Sequence, residues 1–183
     1  MFWYVIMVKK RQRSLTSAQD SYVLIQPTMN EMLEQIKKTH ETGKEHGMSL
    51  CSRNHQILIG QKSIGTDTGI SLSEKCANKK DKYIGSFHTH PTDSEAAPSA
   101  QDLFSSCLRI SNLDCIGKNS KGEIVCYDKK EKGSSCIRDA KPLKDIEDIF
   151  YDVPVGDLDS VKREVYSHVD KVAKKHFDLI KVK

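Results

Sequence analysis

Residues 83–102 read YIGSFHTHPTDSEAAPSAQD, and the fold and chemistry of this 183-residue chain turn on how that stretch divides. Its first eight residues, 83–90, are aromatic, β-branched or small, which is strand composition, and Pro91 stops them. Side chains alternate across a strand, so His88 and His90 project from one face a few ångströms apart. A turn-rich segment then leads to Pro98-Ser99. Ser99 opens a helix and sets Asp102 in its first turn, facing back toward the strand end. Two neutral imidazoles and one carboxylate make three protein ligands for a divalent metal and leave the fourth corner to water. Such an open set is catalytic in character, because a closed structural zinc site takes four protein ligands. Each piece alone is ordinary: a His-x-His pair is common on strands, and Ser-x-x-Asp caps many helices. Together they are not, since chance placement of the whole pattern at this chain's own residue frequencies is roughly 6 in 100,000.

Outward from this stretch, strand and helix signals intermix. Residues 22–26 (YVLIQ) are β-rich and stop at Pro27. Met29, Met32, Leu33 and Ile36 then recur at helical spacing, with Thr28 as cap and Glu31 three residues on, to about His40 or Gly43. Residues 49–52 and 56–60 predict two strands around an Arg53-Asn54 turn, and 61–82 a long polar loop or short irregular strands. After Ser99, Leu103, Phe104, Cys107, Leu108 and Ile110 form the apolar side of a helix. Residues 113–117 and 123–127 predict a hairpin across 119–122. A polar connection spans 128–142, and Leu158, Val161, Val165, Val169, Val172 and Leu179 mark a long amphipathic C-terminal helix. The class is α/β (α+β), with a leader over 1–20, one domain over 21–150 and the C-terminal helix in 151–183, packed on the domain or extending from it.

Composition excludes some functions. The net charge is +4, and Lys9, Lys10, Arg11 and Arg13 all precede the first acid, Asp20. Without those four the chain carries 25 basic and 25 acidic residues, so it has a basic arm and no basic body to track a nucleic-acid backbone. No apolar run approaches the roughly 20 residues of a membrane-spanning helix. The opening MFWYVIMV precedes its basic residues, the reverse of a secretory signal, and predicts an outer strand or loose leader, with a weak membrane-surface anchor as the alternative. Six cysteines (Cys51, Cys76, Cys107, Cys115, Cys126, Cys136) contain no CxxC pair and are too sparse for a disulfide scaffold. They predict mostly buried reduced thiols in a cytoplasmic setting, with one or two bridges, for example within 115–136, as the alternative.

HTHP-x7-SxxD resembles the signature of the JAMM (MPN+) zinc metalloproteases. The likeness extends to Ile84-Gly85-Ser86-Phe87 before it and Asp102-Leu103 after it, and covers about residues 22–135. The resemblance implies a curved mixed sheet flanked by helices, with one Zn2+ and a bound water held by His88, His90 and Asp102. A hydrolytic zinc site also needs a general base. The family takes a Glu from an earlier strand in a pattern like E-x-x-G-x-L-x-G, and residues 45–52 (EHGMSLCS) match it at Glu45 and Leu50. Met48 and Ser52 stand where glycines are usual, and a glycine falls at 47. Glu41, on the preceding helical pattern, is the competing base. His40-Glu41 and His46 do not make an HExxH pair, because those histidines are six apart.

In the family Ser99 would help hold the tetrahedral oxyanion; capping the helix is its other role. The implied activity is cleavage of an isopeptide or peptide bond after the tail of ubiquitin or a ubiquitin-like modifier. The alternatives are trimming of sulfur-carrier-type proteins or other peptides, and a non-catalytic MPN scaffold subunit. The polar stretch 66–82 could contact substrate or be an ordinary surface loop.

Overall fold

One mixed sheet carries the chain. The computed structural model describes residues 4–5, 22–91, 98–109, 113–117, 121–130, 134–152 and 158–182. The sheet order is β1 (Tyr4–Val5), β2 (Val23–Leu24), β4 (Gln56–Ile64), β3 (His46–Arg53), β5 (Lys82–Thr89), β6 (Leu113–Gly117), β7 (Ile124–Lys129) and β8 (Phe177–Val182). Pairs β2–β4 and β5–β6 are parallel, and the others antiparallel. Apart from β1, the leader lies outside the described residues, as do the segment 92–97, Ile110 and the first half of the expected 119–122 turn.

Helix α1 (Gln26–Thr42) packs one face of the sheet. Its Met29, Met32 and Ile36 meet Met48, Leu50, Phe87, Leu113 and Ile124. Pro27 is accommodated in the first turn, where its missing N–H is an orphan anyway, so the helix begins before Thr28 and Ile25 is the N-cap. Thr28 is therefore not the cap: its buried hydroxyl donates to Ile57 O at 2.7 Å and ties α1 to β4. Nor does Glu31 close a capping box; it pairs with Lys62 at 2.7 Å. Gly43 ends the helix at φ +66°, a left-handed position that suits glycine.

Helices α2 (Ala100–Leu108), α3 (Ser134–Asp152) and α4 (Leu158–His176) cover the opposite face. There Ala100, Leu103 and Cys107 meet Cys136, Ala140, Leu143, Val165, Val169 and Ala173 over Ile116 and Tyr127. Leu108 was expected on the apolar side of α2 and instead faces outward, 56% exposed.

Three expectations are corrected. Within the expected polar connection over 128–142, residues 131–133 lie outside the described residues, while 128–129 are the end of β7 and 134–142 the first half of α3. Its buried residues Cys136, Ala140, Leu143 and Glu147 recur at helical spacing, and Pro142 is tolerated inside it. The C-terminal helix stops at His176, and Leu179 lies on β8, which pairs with β7 along its whole length. An unpaired β7 would leave a row of backbone groups without partners, and FDLIKV supplies them. The C-terminal segment thus holds the expected helix, α4, packed on the domain, followed by a strand that joins the sheet. Finally, the cysteines are not reduced thiols: Cys51–Cys76, Cys107–Cys136 and Cys115–Cys126 are disulfides. Spacing carries no connectivity, because bridging depends on which elements meet in space.

Candidate metal centre

His88 stands near the end of β5 and His90 just beyond it. Phe87 and Thr89, on alternate positions, point to the α1 face. Thr89 is pinned there: its hydroxyl accepts from His46 N at 3.0 Å, donates to His46 O at 3.1 Å and pairs with the Thr39 hydroxyl of α1. That anchorage fixes the strand end and turns both imidazoles toward α2. Ser99 caps α2 as expected. Its hydroxyl accepts from Asp102 N at 3.0 Å, and its backbone N–H donates to Asp102 Oδ2 at 3.0 Å, a reciprocal capping box.

The three candidate ligands converge. His88 Nε2 and His90 Nε2 are 3.2 Å apart, and each lies 3.1 Å from an oxygen of Asp102. Ligands about 2.0–2.1 Å from a zinc ion at tetrahedral corners stand about 3.3 Å from one another, so the spacing is that of one face of such a site. The chemistry of the donor set agrees. Two ring nitrogens and a carboxylate oxygen all present lone pairs to one point, and a cation satisfies the three together. Among the described residues this is the group of His, Cys, Asp or Glu side chains that could hold a metal ion. His40 and His46 are not in it. Burial alone would raise the Asp102 carboxyl, but the charge of His88 when its ring is protonated, with hydrogen bonds from His88 and then His90, outweighs it and holds the group well below the usual carboxylate range; a bound cation would take the place of those protons. Asp102 is thus an anion, as a ligand must be.

Glu45 immediately precedes β3 and is buried. Gly47 pairs with His88 across β3–β5, and directly opposed residues share a face, so Glu45, two residues earlier, faces the same side as the histidines. Its backbone is fixed by Glu45 N donating to Thr66 O at 2.7 Å and Glu45 O accepting from Gly65 N at 2.8 Å. Glu45, His88, His90, Ser99 and Asp102 line one cleft of about 980 Å³. Glu41 lies on exposed helix surface, 3.8 Å from Lys37. Gly47 is required where it stands: a Cβ there would come within 2.6 Å of Leu72 and 2.7 Å of Phe87 O. Leu72 belongs to the loop 65–81 that forms one wall of the cleft. Ser49 Oγ holds that loop by donating to Lys75 O at 2.7 Å, and Cys76 is bridged to Cys51.

Two side chains of the site were not legible in sequence. Tyr127 of β7 lines the cleft, and burial, then the charges of Asp102 and Asp170, push its phenol above its usual range, so it is a neutral hydroxyl. Glu147 of α3 is 4% exposed and receives two backbone N–H groups at the start of α2: Ala100 N at 3.1 Å and Gln101 N at 2.8 Å. Burial raises its carboxyl and those two hydrogen bonds oppose the rise.

No protein-family model and no curated protein matches this chain. The fold and site by themselves define a mixed-sheet α/β protein with a His-His-Asp group able to hold a metal, open to a cleft that also contains a buried glutamate.

Proposed function

We propose that the chain is a single-zinc peptidase of the JAMM type. The observation that carries this reading is the convergence of His88, His90 and Asp102 within 3.2 Å of one another, in a cleft shared with Glu45. A bound zinc ion would lower the pKa of its water toward 7 and polarise an amide carbonyl. Glu45 takes a proton from the attacking water and returns it to the leaving amine, which balances the hydrolysis of one amide bond. Ser99 has one hydroxyl proton, and in this structure it goes to Asp102 Oδ2 at 2.7 Å. Its first duty is therefore to hold the ligand, and a hydrogen bond to the oxyanion would draw on the same proton. A scaffold role has no use for three converging ligands beside a buried base.

The proposed substrate is the bond after the C-terminal tail of a ubiquitin-like modifier, bound as an extended strand beside the sheet. A cytoplasmic setting would go with it. The three disulfides favour a second reading, in which the enzyme trims other peptides, because such bridges persist mainly in oxidising compartments or inside hyperthermophiles. No helix among the described residues is long and apolar enough to cross a membrane.

The test is metal analysis of the purified full chain together with cleavage of branched modifier conjugates, linear fusions and unrelated peptides. One zinc per chain is expected. Glu45→Gln should keep the metal and lose about 100- to 10,000-fold in turnover, the usual worth of a positioned base. His88→Ala and Asp102→Ala should lose metal and activity together. Full activity in Glu45→Gln would overturn the assignment of the base, and a metal-free native protein would overturn the reading as a whole.

A further inference from the structure

Helix α2 delivers Asp102 to the histidines, so whatever holds the start of α2 sets the distance between ligand and metal. The capping box of Ser99 and Asp102 satisfies Asp102 N and Ser99 N internally. It leaves the N–H groups of Ala100 and Gln101 aimed out of the helix end. Both are taken by one carboxylate from another element. Glu147 Oε1 accepts from Ala100 N and Oε2 from Gln101 N, 46 to 47 residues away in sequence.

A buried carboxylate is costly unless charge or hydrogen bonds compensate it, and here the compensation is the positive end of the helix that carries the ligand. Further along α2, the Cys107–Cys136 bridge ties it to α3, Lys129 Nζ donates to Cys107 O at 3.0 Å and to Arg109 O at 2.7 Å, and Arg109 Nη1 donates to Asp114 Oδ1 at 2.9 Å. The helix is thus gripped at both ends, and at the metal end the grip is Glu147. Glu147 is not one of the converging ligand residues.

We infer that Glu147 is a positioning residue: by binding both free N–H groups at the start of α2 it fixes Asp102 at ligand distance from His88 and His90. The inference rests on the metal reading proposed above. Supporting residues of this kind change metal affinity by about 10–100-fold when removed. An amide in place of the carboxylate keeps one acceptor oxygen but turns an NH2 group toward the second N–H. Glu147→Gln should therefore fall between native and Glu147→Ala.

The experiment measures zinc affinity of the full chain by competition with a chromogenic chelator, on native protein, Glu147→Ala, Glu147→Gln and Leu143→Ala. Leu143 lies on the same helix, in the apolar cluster with Ala100 and Leu103, and its side chain has no acceptor for the α2 N–H groups, so its truncation controls for loss of packing and stability. Zinc binding should weaken about 10–100-fold in Glu147→Ala, less in Glu147→Gln, and stay within about twofold of native in Leu143→Ala. Should Glu147→Ala not fold, the comparison of Glu147→Gln with Leu143→Ala decides. Native-like affinity in the Glu147 variants, or equal weakening in Leu143→Ala, overturns the positioning role while leaving the metal reading in place. A native protein that takes up no zinc overturns the metal reading and the positioning role with it.

Discussion

Gly85 shows how narrowly single residues constrain the site. It lies in β5, opposite Leu113 of β6, and a Cβ there would sit 1.6 Å from Leu113 O. That oxygen belongs to a backbone held in a parallel ladder and cannot swing aside as a side-chain tip would. Gly85→Ala should therefore displace β5 from β6 and destabilise by at least about 1–3 kcal/mol, the usual cost of overpacking, or prevent folding. Gly69 is the control, because nothing lies within 4 Å of its added Cβ. Gly69→Ala should change stability by less than about 0.5 kcal/mol. Urea unfolding of the two variants measures both, and a mild effect at Gly85 would mean that the β5–β6 register is wrong. The neighbouring antiparallel ladder, β3–β5, sets where the proposed base points. Glu45 is placed by the Gly47–His88 pairing, so a one-residue slip would turn it to the α1 face.

At the scale of elements, the junction from α4 to β8 depends on Asp139 of α3. Its Oδ2 accepts from Lys175 Nζ at 2.6 Å and from His176 Nε2 at 2.8 Å, where α4 ends. The hydrogen bond from Lys175 and then that from His176 hold its carboxyl below the ordinary range. A carboxyl whose folded pKa lies below its unfolded value of about 3.9 stabilises above that value, and loses the contribution as pH falls toward the folded pKa. Asp139→Asn should lower stability at pH 7 by about 0.5–1 kcal/mol, as partly exposed ion pairs do, and the gap should narrow steadily as pH falls below about 3.9. Thermal melts of both proteins from pH 2 to 7 check it, and a gap that widens in acid contradicts it.

Element by element, legibility followed locality. The HxH strand, the Ser99–Asp102 box, α1 and the 113–127 hairpin each announce themselves within a few residues, and all formed. What was hidden depends on distance. Glu147 is one acid in a polar helix until α2 is packed against it, and Leu179 keeps step with the valines of α4 although a strand has already begun. The polar residues of 128–142 read as a connection, yet the buried row Cys136, Ala140, Leu143 and Glu147 makes the stretch from 134 helical, and it outweighs the hydrogen bond lost at Pro142.

For the whole molecule, the three disulfides differ in how far reductant can reach them. Cys115–Cys126 joins paired residues of β6 and β7 beneath α1, and Cys107–Cys136 lies between α2 and α3. All four of those cysteines are at most 6% exposed. In Cys51–Cys76, Cys51 is buried in β3 but Cys76 is half-exposed in the loop 65–81. Thiol–disulfide exchange needs a thiolate to reach sulfur, so a mild dithiol should open Cys51–Cys76 first and leave the other two closed. The bridge spans a sequence separation of 25 residues, and its loss should cost about 3 kcal/mol through the freed entropy of the unfolded chain. The metal group should survive, because His88, His90 and Asp102 are held by β5 and α2, not by that loop. Peptide cleavage should suffer more, because the loop forms a wall of the cleft and its backbone fixes Glu45 through Gly65 and Thr66. Graded reduction followed by alkylation and mass mapping, with zinc content and cleavage followed in parallel, would test this. Labelling of Cys107 or Cys115 before Cys76 would contradict the order of exposure, and loss of zinc together with Cys51–Cys76 would show that the loop, and not α2 alone, holds the metal group together.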